Sequence, residues 1–97
     1  MSFIEETVDI GRWILQMLGT AAFVYVQLLT INPIIIGAVL TIFLYIVAKV
    51  EAGAFNPALA VGRYLSGQMT AQVALLYLSA QVVGGIIAGL AYYAVAD

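Results

Sequence analysis

The stretch Glu51-Ala52-Gly53-Ala54-Phe55-Asn56-Pro57-Ala58, with the short run that follows it to Gly67, constrains the fold more than any other part of the chain. Small residues lead into a helix start. Asn56 is suited to be an N-cap, because its side-chain oxygen can accept from a free backbone N–H of the first turn. Pro57 suits the first helical position, where a missing N–H costs nothing. Gly67 suits the stop. The spacing predicts a helix over residues 57–66, about 15 Å long at ~1.5 Å per residue. That is half of a ~30 Å hydrocarbon core. A non-helical lead-in and a half-length helix describe a segment, residues 51–66, that dips into an apolar layer and returns on the same side. Such backbone survives at membrane depth only where it lines a cavity or is buried in protein.

Composition supplies the apolar layer. Of 97 residues, 65% are hydrophobic and 8% charged, and the mean hydropathy is +1.12. These values place the chain in the membrane class. Its length admits three spans at ~20 residues each beside the dip, expected at residues 10–31, 33–50 and 71–95. Residues 1–97 thus form one unit with an all-α membrane fold: three transmembrane helices plus one re-entrant half-helix. There is no Cys and no His, so neither disulfides nor the usual zinc sites are expected. The net charge of −2 comes from too few charges for a nucleic-acid footprint. The acidic lead-in (Glu5, Glu6, Asp9) is unlike the basic start of a cleavable signal peptide and reads as interfacial.

Arg12 and Trp13 stand where an interface anchor belongs at the head of the first span. Gly19 and Ala22 form a small face for close helix contact, and Gln16 and Gln27 are its polar residues at depth. Asn32-Pro33 reads as a turn and cap for the second span. Lys49 and Glu51, and Arg63 on the half-helix, read as interfacial charges. The last span carries two small-x-x-x-small pairs, Gly84 with Ala88 and Gly85 with Gly89, and ends in Tyr92 and Tyr93, read as an aromatic belt.

No catalytic constellation is visible, because neither Ser66, Ser79 nor the acids have a base partner. Enzyme chemistry, metals and cofactors are therefore not expected, and binding or conduction remains. The dip offers three tools for that. The half-helix N-terminus carries roughly +0.5 charge. The Asn56 side chain adds amide donors at the same point. The backbone carbonyls of Ala52, Gly53 and Ala54 can accept from a passing solute. Together they suit a single-file track for neutral hydrogen-bonding molecules that disfavours cations.

The same residues carry a resemblance. Gly53-Ala54-Phe55-Asn56-Pro57-Ala58, then Leu65-Ser66-Gly67, then Tyr77-x-x-Ala80-Gln81-x-x-Gly84, resemble one half of an aquaporin, or major intrinsic protein, from about Gln16 to Ala91. The resemblance implies a pore signature at Asn56, Pro57 and Ala58. It also implies a passive channel for water or small neutral solutes such as glycerol, lying in a lipid bilayer. Gln16-Met17-Leu18-Gly19-Thr20 is similar to the family's E-x-x-G-T pattern, with Gln in place of the acid that braces the dipping loop; a plain helix–helix contact is the alternative for Gln16. The family's narrow filter falls on Ile36, Leu44, Gly53 and Leu59. All four are aliphatic or Gly, where many members carry an arginine and aromatics, which implies a wider and greasier constriction.

The family carries two such halves, and these 97 residues carry one. The second half is expected from another copy, as an antiparallel dimer that could build four pores from eight chains, or from a complementary polypeptide. Arg12, Lys49 and Arg63 all fall on the N-terminal side, which favours one orientation under the positive-inside rule. Two other readings compete. One is a non-conducting structural or regulatory half that packs with a full-length relative. The other is a proton-coupled transporter, which would need an ionisable group at depth beyond Lys49 and Glu51.

Overall fold

The computed structural model describes residues 3–47 and 56–95. Four helices account for nearly all of them: α1 (Phe3–Leu29), α2 (Pro33–Val47), α3 (Pro57–Leu65) and α4 (Ala71–Val95). Two helices are long and apolar enough to cross a membrane, Ile10–Leu29 within α1 and the whole of α4. The third expected span is helical from Pro33 to Val47, 15 residues, or about 22 Å. Its expected end at residues 48–50, Lys49 and the lead-in from Glu51 to Phe55 lie outside the described residues.

Helix ends follow the cap chemistry. Asn32 Oδ1 accepts from the backbone N–H of Ile34 at 2.9 Å, and Ile36 N–H bonds Asn32 O, so the first Asn-Pro is a cap. At the other end of α3, Gln68 N–H reaches Arg63 O at 2.8 Å and Gly67 N–H reaches Tyr64 O at 3.2 Å. This is a Schellman closure, and it needs the left-handed φ of +83° that Gly67 supplies. Thr70 then opens α4, its Oγ1 accepting from Val73 N–H.

Three boundaries differ from expectation. α1 is already helical at Phe3 rather than starting at Ile10, so the acidic residues extend the helix instead of forming a separate lead-in. It stops at Leu29, two residues before Ile31, because the chain must turn to reach the Asn32 cap. α3 ends at Leu65, with Ser66 serving as its C-cap.

α1 and α4 form the centre of the molecule and run parallel. Trp13 Nε1 donates to Ser79 Oγ at 2.9 Å near one end. Gln81 Nε2 lies 3.4 Å from Gln16 Oε1 further along. Tyr25 and Tyr92 meet edge to face at the other end, with ring centroids 6.4 Å apart. The Trp13 N–H is thus held by α4, and Tyr92 packs within the chain while the Tyr93 ring is exposed. Gln27, expected at depth, is exposed in the last turn of α1.

The interface is built of small and polar residues. Gly19, Thr20 and Gln16 on α1 are buried, as are Ala80, Gln81, Gly84 and Ala88 on α4. Outward stand Ile14, Leu18, Leu75, Val82, Ile86 and Leu90. Large aliphatics outside and small residues inside are what a bilayer selects, since lipid tails are as apolar as leucine and close backbone packing drives helix association. α2 packs only on α1, and α3 only on α4, among the described elements.

Candidate functional site

The site is built on the N-terminus of α3. Asn56 has extended backbone, φ −148° and ψ 117°, and its Oδ1 accepts from Ala58 N–H at 2.8 Å. Its backbone carbonyl takes the N–H groups of Leu59 and Ala60 at 3.1 and 3.2 Å. Pro57 occupies the first helical position. The side-chain oxygen of Asn56 is thus committed to the helix. Arg63 lies in the last turn, where a cation complements the negative end of the helix dipole.

α3 is seated on α4 through one buried residue. Ala60 is fully buried and packs with Tyr77 in a small apolar cluster bordered by Met69, Val73, Leu76 and Leu78. Tyr77 belongs to the sequence signature, but no pattern in the sequence assigns it this contact. The same holds for Trp13 with Ser79, whose pairing depends on the parallel register of two helices far apart in the chain.

One turn beyond Tyr77 lies a buried polar cluster, Gln16, Thr20 and Gln81. Gln16 is fully buried and faces Gln81, while the loop it is expected to brace lies outside the described residues. Thr20 Oγ1 and Gln81 Oε1 have no hydrogen-bond partner among the described residues. Buried polar atoms in that state each cost ~1–3 kcal/mol, so the cluster has unused hydrogen-bonding capacity.

The filter positions are not gathered into one ring by the described residues. Ile36 and Leu44 are half-buried on α2, Leu59 is exposed on α3, and α2 and α3 do not touch. Gly53, with the carbonyl track Ala52, Gly53 and Ala54, lies outside the described residues. No cluster of His, Cys, Asp or Glu that could hold a metal ion occurs among the described residues.

The Major intrinsic protein family matches residues 9–97, nearly the whole chain. The chain belongs to that family. As a major intrinsic protein it is an integral membrane protein, of a family of channels rather than enzymes. Aquaporin Z of Photorhabdus laumondii subsp. laumondii is 33% identical over 61 residues, covering 63% of this chain and 26% of that protein. The chain thus matches about a quarter of the length of this curated relative. No solved structure matches the chain.

Proposed function

We propose that this chain builds one half of a passive pore for water and small neutral solutes such as glycerol. The observation that carries the reading is the N-terminus of α3. Asn56 caps the helix with its oxygen and so offers its NH₂, at the positive end of the helix, to a passing molecule. Water or a polyol can accept from that amide. A cation is repelled by the helix end and gains nothing from the donors. Ala52, Gly53 and Ala54 complete the track with carbonyls, and Ile36, Leu44, Gly53 and Leu59 line a constriction without a fixed cation.

Depth supports the same reading. The chain reverses between α3 and α4, and Ala60 packs beside Tyr77. Counting equal rise along both helices from that contact puts Asn56 level with about Gln81, ten residues into α4, or about 15 Å. A half-helix re-entering from the Ala71 side would then begin near the middle of a ~30 Å core. The second half comes from another copy in the opposite orientation or from a complementary chain. The aquaporin name of the 33%-identical relative agrees with water as the permeant.

Osmotic challenge of proteoliposomes containing the purified chain tests the proposal. Water permeability well above that of empty vesicles, without dependence on a pH gradient, is expected. Background permeability would favour the non-conducting reading. Single cysteines at Ser2 and Asp97, labelled from outside intact cells, test the pairing. Partial labelling at both is expected for the antiparallel dimer, whereas labelling at 97 alone would point to a complementary half.

A further inference from the structure

We propose that the Ala60–Tyr77 contact sets the position of the half-helix, and that Tyr77 is thereby a positioning residue for Asn56. The consequence for permeation rests on the pore reading above; the contact itself does not.

α3 has nine residues, about 14 Å, too short to span a ~30 Å core and fix itself at both interfaces. Its placement must come from its neighbours. Among the described elements it touches α4 alone, and Ala60 is its one buried residue, with Leu59, Val61, Tyr64 and Leu65 all exposed. Among the described residues, two features hold α3 against α4. The closure around Gly67 fixes its C-terminal end, where three backbone bonds tie residues 66–68 to the last turn. The Ala60–Tyr77 contact fixes the other end.

Ala60 is also coupled directly to the site. Its N–H donates to Asn56 O at 3.2 Å, so a displacement at Ala60 is passed through one helical turn to the cap. The pair joins a small residue to a large one. Alanine lets the helix backbone come close, and the tyrosine ring, only 3% exposed, fills the space on α4. Shortening the ring removes the stop, and enlarging Ala60 pushes α3 away. Close-packed interiors transmit such volume changes as shifts.

The chain has no cysteine, so introduced ones are the sole labelling sites. Spin labels at Val61 and Leu90, both exposed, report the separation of α3 from α4. Labels at Leu18 and Leu90 report α1 against α4. Both pairs are measured in vesicles, diluted with unlabelled protein. Tyr77→Ala and Ala60→Val should each shift or broaden the first distance and leave the second unchanged. In the same vesicles water permeability of both variants should fall roughly tenfold, equivalent to ~1.4 kcal/mol. An unmoved Val61–Leu90 distance in Ala60→Val overturns the proposal. If Tyr77→Ala disturbs both pairs, the fold has loosened and Ala60→Val decides. Distances that behave as expected in a chain that passes no water would sustain the seat and dismiss the pore.

Discussion

Two glycine faces of α4 carry the same spacing and meet opposite surroundings. A Cβ built on Gly84 would sit 2.5 Å from the backbone oxygen of Met17 and 3.0 Å from both Ala21 N and Thr20 Cβ. On Gly85 and Gly89 it would meet nothing within 4 Å among the described residues. The first pair of small residues, Gly84 and Ala88, is where α1 crosses; the second is open. At Gly84 the backbones of the two helices approach closely enough that no side chain fits between them. A small-x-x-x-small motif thus signals a surface able to pack closely, while the chain alone decides which surface is used.

The largest expected effect is at the occupied face. Gly84→Leu would drive a side chain into the α1 backbone, which cannot move aside as a flexible side chain would. A loss of ~3 kcal/mol, measured by reversible unfolding in mixed micelles, would mark the crossing as essential. Wild-type stability would contradict it.

A smaller effect is expected on the same face at Gln81→Leu. It removes the partner of a buried amide, but the bond is long at 3.4 Å, and polar contacts between membrane helices average well under their nominal worth. A destabilisation of about 1 kcal/mol is expected. In a double-mutant cycle with Gln16→Leu, a coupling near zero would show that the two amides do not act on each other.

The smallest effect belongs to the open face. Gly85→Ala and Gly89→Ala add a methyl to empty space and remove a poor helix former, so stability should be unchanged or rise by up to ~1 kcal/mol. Gly85→Leu sharpens the comparison. Retained stability of the single chain with loss of its association in cross-linking would place the second half on this face. Retained association would leave the face to lipid.

The same contrast shows what could be read before the structure. Helix ends were legible wherever one residue does the chemistry locally: Asn32 and Asn56 cap, Pro33 and Pro57 start, and Gly67 stops at φ +83°. The all-helical membrane character was legible in composition. The partners of Trp13, Tyr25 and Tyr77 were not: the first two lie on a helix distant in sequence, the third on the neighbouring α3, and each depends on a register that no local pattern encodes. Gln27 misled because polarity at a span position does not say which way a helix face turns. The filter was only named, since Ile36, Leu44 and Leu59 stand on elements that do not touch.

The central claim is that permeant molecules pass the capped end of α3. Asn56→Asp tests it most directly, because a carboxylate caps as well as an amide and suits the helix dipole, yet places a negative charge on the route. Stopped-flow water permeability and cation conductance, measured on the same vesicles, should show water flux lost and a cation leak gained. Unchanged flux together with unchanged ion exclusion would contradict a pore that runs past Asn56.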